Sequence, residues 1–221
     1  MNGWFSNVNW ADIAAATGDT LVMLAASLAL TIVLGLPLGV LLYVTGKRQI
    51  GENRVFHGLL GVVINVLRSV PFIILLIVMI PLTVALVGTS LGVVGAILPL
   101  VVGAAPFYAR LVEGALREVD RTTIEATQAM GATPLQIVTG TLIPEALPGL
   151  ISGATVTAVA LVSFTAMAGV VGAGGLGDLA IRFGYQRFQT DVMIVTVALL
   201  VLLVQAIQLA GDRLAAAFTR R

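Results

Sequence analysis

LVMLAASLALTIVLGLPLGVLLYV, residues 21–44, carries no charged side chain. About 20 apolar residues in a helix cross the hydrocarbon core of a bilayer, so this run predicts a transmembrane helix. Four further apolar runs follow at 58–87, 91–113, 147–171 and 192–212, the second interrupted by Arg68. They are too long, and alternate too little, for the strands of a membrane barrel. The second and third are separated at Val87-Gly88-Thr89-Ser90, where glycine and small polar residues end the apolar run. The expected fold class is an all-α integral membrane protein with about five transmembrane helices.

Composition agrees. Of 221 residues, 58% are hydrophobic and 10% are charged, where a soluble domain has roughly a quarter charged. Mean hydropathy is +1.05. A chain this apolar cannot clothe itself in a wetted surface, so lipid must solvate much of it. A net charge of +1 leaves no electrostatic footprint for nucleic acid. The absence of cysteine excludes disulfides, thiolate zinc sites and cysteine nucleophiles. The single His57 cannot form a metal site alone and reads as structural or surface. Residues 1–20 contain Asp12 and Asp19 but no Lys or Arg, unlike a cleaved signal. They are expected to be an extracytoplasmic segment ahead of the first permanent span.

Lys and Arg set the orientation. Lys47, Arg48 and Arg54 follow the first span, Arg110 stands in the last turn of the third with Arg117 and Arg121 after it, and Arg213, Arg220 and Arg221 end the chain. Five crossings put all three groups on one side, leaving Arg182 and Arg187 opposite. The N-terminus is therefore expected outside and the C-terminus in the cytoplasm. An odd count of spans is small for enclosing a solute path, which a symmetric dimer would place on its two-fold axis. Gly35-x-x-x-Gly39 and Gly149-x-x-x-Gly153 offer small-residue faces for close helix packing, within one protomer or between two.

The most informative cytoplasmic stretch is TTIEATQAMGATPLQIVTGTLIPEALPG, residues 122–149. Thr122 or Thr123 can cap a helix with Glu125 in its first turn. Ala126 and Ala129 keep its surface thin. Gly131 can end it in the left-handed conformation, and Thr133-Pro134 can start a second helix as N-cap and first residue. Pro144 and Pro148 are expected to break that helix before the fourth span. The result is a hairpin of two short helices, about 122–144, shaped to dock in a groove of another protein.

This stretch resembles the EAA loop of bacterial ABC importer permeases. Glu125, Ala126, Gly131 and Pro144 match its pattern. Thr127 stands for its second Ala, Thr141 for Ile and Ile143 for Leu. With residues 68–81, 88–113, AMGATPLQIV, LIPEALPG and VGAGGLG, the chain is similar to the permeases of methionine importers. The resemblance implies a type I ABC importer permease fold over residues 21–221 and coupling helices that insert into an ATP-binding subunit. Glu125, Ala126, Ala129, Met130, Gly131, Thr133, Pro134 and Pro144 would form that joint. It also implies a homodimer in the bacterial inner membrane, two ATP-binding subunits, an extracytoplasmic binding lipoprotein, and methionine or a related amino acid as solute. VGAGGLG is shared with osmoprotectant and phosphonate permeases, which keeps those solutes as alternatives.

No G-x-x-x-x-G-K-[ST] occurs, so the chain is expected to be no enzyme and to bind no cofactor, with ATP and Mg held by a partner. Gly172-x-Gly174-x-x-Gly177, which includes Gly175, spells a dinucleotide fingerprint, but that motif works only between a strand and a helix. After a membrane span it reads as a flexible or tight turn at the outer mouth. Arg68 is the one base inside a span, with a structural or a path role open to it, and Pro71 beyond it should kink the helix. Ser152, Thr155, Val159, Ser163 and Met167 fall near one helical face that can line a mildly polar path, or bond their own backbone. An ion-coupled carrier would carry intramembrane acids, yet every Asp and Glu lies outside the spans or at their edges. A membrane enzyme would need a convergent set of titratable groups.

Overall fold

The structure, a computed structural model, describes residues 7–219. Arg220 and Arg221, counted above for orientation, and the first six residues lie outside that range. Four helices are long and apolar enough to cross a membrane: α1 (Trp10–Thr45), α5 (Gly92–Arg117), the stretch Pro134–Gly169, and α10 (Thr190–Phe218). α2 (Arg54–Ser69) and α3 (Phe72–Val78), which meet at 101°, are long and apolar enough only when taken together, as one broken span or a re-entrant loop. α4 (Ile80–Val87), α6 (Arg121–Ala129), α7 (Pro134–Ile137), α8 (Ile143–Gly169) and α9 (Gly175–Leu179) complete the set, and no strand occurs among the described residues.

Three boundaries differ from the sequence reading. α1 starts at Trp10, so 10–20 is helix rather than a separate segment. Asn9 caps it, its side chain accepting from the Ala11 N–H at 3.1 Å, and Asp12 sits in the first turn. Ile13 and Ala16 are buried with Leu176, Leu179 and Val192, so tertiary packing extends the helix beyond its apolar run. The second run, 58–87, is three helical pieces rather than one kinked span. Pro71 offers no N–H and pushes Val70 into an extended conformation (ψ 124°), which stops α2 outright. Pro144 and Pro148, by contrast, break nothing. α7 passes through a π-helical turn (Val138–Leu142) into α8. Pro144 falls in the first turn of α8, where a proline costs a helix least.

Between spans there is little hydrophobic drive, so close packing decides adhesion. Both glycine pairs pack inside the chain. A Cβ on Gly39 would lie 2.5 Å from both Ala109 O and Val112 Cβ, and one on Gly35 2.9 Å from Tyr108 Cδ1. Gly149 and Gly153 give α8 the same approach to Ala115 and Leu111 of α5. α5 is thus the central post between α1 and α8. His57 joins α2 to α1 through a 3.0 Å hydrogen bond between Nδ1 and Leu42 O, a structural role.

The loops gather at two ends. Gly92 N–H donates to Gly172 O at 2.9 Å, which ties the 88–91 turn to the glycine-rich turn. Asn7 holds Asp191 at the same end. The 46–53 turn and the 118–142 hairpin share the other.

Candidate functional site

The hairpin is held by three apolar anchors. Ile124, Ile137 and Leu142 are buried among Tyr43 of α1, Val112 and Leu116 of α5, and Leu150 of α8. Asp120, not Thr122 or Thr123, caps α6: its carboxylate accepts from the Thr122 N–H at 2.8 Å, which holds its pKa below the usual range. Asp120 is the cap because the helix already starts at Arg121, ahead of the Thr pair, and Glu125 is then tied to Arg121 at 2.9 Å. Gly131 adopts φ +83° and ends the first helix as expected. Thr133 forms a full capping box with Gln136 ahead of Pro134.

With these anchors turned inward, Glu125, Ala126, Ala129, Gly131, Thr133 and Pro134 are exposed. Met130 (79%) and Leu135 (72%) project as an apolar tip. Leu135 escaped the sequence reading, although an apolar residue right after the proline that opens a helix on a polar hairpin was a usable signal. Pro144 lies away from this tip, at the start of α8. Two of the three departures from the EAA pattern touch: Thr127 Oγ1 and Thr141 Oγ1 are 3.2 Å apart. The hydroxyls that replace Ala and Ile satisfy each other across the hairpin.

Behind the hairpin lies a charge network that sequence reading used only for orientation. Glu113, 5% exposed, accepts from Arg110 Nη1 and Arg117 Nη2, each at 2.7 Å. Arg110 Nη2 also reaches Asn65 Oδ1 at 2.9 Å and Gly61 O at 3.3 Å on α2. The (i, i+3) and (i, i+4) spacing of acid and base was the visible clue. In the 46–53 turn, Glu52 accepts from Arg54 Nε at 2.7 Å and from the Arg48 N–H at 2.9 Å. Those bonds hold its pKa low, the Arg54 bond contributing most.

At the α2–α3 break a cavity of about 400 Å³ is lined by Arg68, Phe72, Gly103, Phe107, Ala160 and Phe164, among others. Phe72 and Phe164 stack with centroids 4.4 Å apart. Arg68 stands in the last turn of α2, where its charge suits the helix dipole, and Pro71 opens α3. On α8, Ser152, Ser163 and Met167 are exposed and Val159 half-buried. Thr155 is not on that stripe. It is buried against Gly211 of α10, its hydroxyl donating to Ile151 O at 2.9 Å. Ser152 bonds Pro148 O at 3.0 Å.

Gly172, Gly174 and Gly175 all take positive φ and form a tight turn, with no strand before it. A Cβ on Gly177 would strike the Ala166 backbone, and the Leu176 N–H donates to Thr20 Oγ1 at 2.9 Å. Gly177 thus brings α9 against the α8 backbone, Gly174 and Gly175 lie against Asp19 and Thr20 of α1, and Gly172 faces Leu91. Asp178, buried here, is paired with Arg182.

The family described as "Binding-protein-dependent transport system inner membrane component" matches residues 35–221. The chain is 50% identical over 211 residues to the "Probable D-methionine transport system permease protein MetI" of Vibrio cholerae, covering 96% of this chain and 93% of that one. It is 45% identical over 209 residues to the "Methionine import system permease protein MetP" of Bacillus subtilis, covering 95% and 94%. A solved structure described as "Inward facing conformations of the MetNI methionine ABC transporter" superposes with a TM-score of 0.93 at 51% identity, over 95% of this chain and 97% of the other. Another, "Crystal structure of an amino acid ABC transporter with histidines", gives 0.79 at 15% identity over 98% and 99%, a likeness of fold alone.

Proposed function

Because this chain belongs to the family of binding-protein-dependent transport system inner membrane components, we propose that it is the permease subunit of an ATP-driven importer of methionine or a closely related amino acid. Its fold is that of a type I ABC importer permease. The observation that carries the reading is the hairpin: a polar loop displaying Met130 and Leu135 on a frame anchored to three spans. A solvated loop has no reason to display such a tip.

A zwitterion cannot enter hydrocarbon without losing the hydration of its charges. The permease supplies a shielded path open to one side at a time. In our reading two copies form that path on a two-fold axis, and each hairpin sits in one ATP-binding subunit. ATP and Mg belong to those subunits, and an extracytoplasmic binding protein delivers the solute. ATP binding draws the two ATPases together, and the hairpins carry that displacement into the spans. Glu125, Ala126, Ala129, Met130, Gly131, Thr133 and Pro134 form the joint. Arg68, Pro71, Ser152, Val159, Ser163 and Met167 border the path, with Arg68 at the rim of the cavity under the helix break. Non-helical backbone at membrane depth is tolerated where it faces a cavity or is buried in protein. The basic 46–53 turn and hairpin are cytoplasmic, and the glycine-rich turn is outside.

The test is uptake into proteoliposomes holding the chain, its ATPase partner and the binding protein. Methionine accumulation that needs ATP supports the reading. Ion-driven uptake by the chain alone, or uptake of betaine or a phosphonate in place of methionine, overturns it.

A further inference from the structure

The end of α1, the 46–53 turn and α6 enclose a second pocket, which shares only Glu125 with the proposed ATPase joint. Its volume is about 260 Å³, and its polar lining is Tyr43, Arg48, Gln49, Arg117, Arg121, Glu125 and Gln128. Three guanidinium groups face one carboxylate, a local excess of two positive charges. The carboxylate is committed, since Glu125 is held by Arg121. Glu113 divides itself between Arg117 and Arg110. Glu52 serves Arg54 and the backbone of Arg48, so the Arg48 guanidinium has no ion pair among the described residues.

Tyr43 makes this more than a basic surface. Its side chain is among the hairpin's anchors and only 3% exposed. Tyr43 lines the pocket, and its hydroxyl, which solvent reaches, makes no hydrogen bond to the described residues. The phenol adds a neutral donor to the wall that carries the three arginines. Arg48, beside it, holds φ +62°, a conformation that L side chains adopt at a cost.

We infer that this pocket binds a phosphate group, carried by an anionic lipid headgroup or free in solution. Guanidinium groups match phosphate oxygens bidentately, and the phenol donates beside them. The pocket is lined by Ile124, Glu125 and Gln128 of α6 and not by Met130 or Leu135, so occupancy stiffens the seat of the hairpin without covering its tip.

The experiment uses the permease–ATPase complex. Native mass spectrometry counts phosphatidylglycerol retained after extraction from vesicles of phosphatidylcholine doped with phosphatidylglycerol, and calorimetry titrates inorganic phosphate. Tyr43→Phe keeps the ring in its packing, and Arg48→Gln keeps a polar side chain. Uptake in pure phosphatidylcholine checks that both variants are assembled. Each substitution should lower retention of the ligand about tenfold. Retained lipid that inorganic phosphate does not displace assigns a headgroup site. Displacement by millimolar phosphate, with the same sensitivity to both variants, assigns a free-phosphate site. Binding of neither ligand, or binding indifferent to both substitutions, overturns the inference. A complex that binds lipid but imports no amino acid would sink the import reading and leave this site standing.

Discussion

Gly131→Ala tests the hairpin directly. Gly131 holds φ +83°, and a Cβ built there meets no atom within 4 Å. The substitution therefore creates no clash within the chain, and its whole cost is conformational. An L side chain in the left-handed region loses roughly 1–2 kcal/mol, a factor of about 5–30 in the population that keeps the native turn. Relaxing φ would swing the Thr133-Pro134 helix start away from α6, so the cost subtracts from docking of the ATPase. Asn tolerates this region better than Ala, and a β-branched residue tolerates it least. The series Gly, Asn, Ala, Val should lose ATPase affinity in that order, about 5–30-fold for Ala, while the spans stay inserted. Methionine uptake per ATP hydrolysed in proteoliposomes should fall in the same order. Equal docking and uptake across the series would refute the conformational argument. Asn behaving as badly as Val would show that space, not backbone angle, sets the limit.

Thr127→Ala and Thr141→Ala should each cost about 0.5–1.5 kcal/mol in thermal unfolding, and their double-mutant cycle should show that the two losses overlap. Strict additivity would mean the 3.2 Å contact contributes nothing. Gly39→Ala must open the α1–α5 contact by about 1 Å and should cost about 1–3 kcal/mol. Gly18→Ala, where a Cβ meets nothing within 4 Å, should be neutral or stabilising, so equal melting shifts for the two would contradict the packing account. Asp120 is held below its ordinary 3.8 by the Thr122 N–H. A depressed carboxylate lends stability above the unfolded pKa and loses it as pH falls through the folded one. Hydrogen-exchange protection of α6 should therefore decline below pH 3.8 in the native chain and stay flat in Asp120→Asn, and matching profiles would discount the cap.

Five apolar runs were legible because hydropathy integrates over 20 residues, and single deviations do not matter. What hydropathy could not see was direction within a run. Pro71 and Pro144 look alike as letters, yet one bends the chain by 101° and the other sits in a continuous helix. The difference lies in what surrounds them: the π-helical turn before Pro144 absorbs the register change, whereas Val70 has no such slack. Gly131, Thr133 and Pro134 were read correctly because turn chemistry is local. The α6 cap was missed by two residues because three successive residues, Asp120 to Thr122, bracket the start. Thr155 was misplaced because helical spacing alone does not say which neighbour covers a face. Only the close approach of Gly211 decides it.

The hairpin and the helix break are connected, and the nature of the link explains why charge is buried there. Ile124, Ile137 and Leu142 fix the hairpin to α1, α5 and α8, so a push on its tip moves those helices together. α2 buries only Gly61 and Ile64 and would not follow on apolar contact alone. Arg117, Glu113 and Arg110 run along α5 for about 10 Å at helical rise and end on Asn65 and Gly61 of α2, Asn65 lying within one turn of Arg68. Replacing such a network with well-packed apolar side chains is often neutral or stabilising, so stability does not account for it. Direction does. Apolar side chains let helices slide, whereas Arg110 grips two named acceptors on α2 and loses both if the register shifts. On the proposed coupling role, a displacement of the hairpin would reach the cavity at Arg68 as a displacement of α2, whose broken end forms the rim.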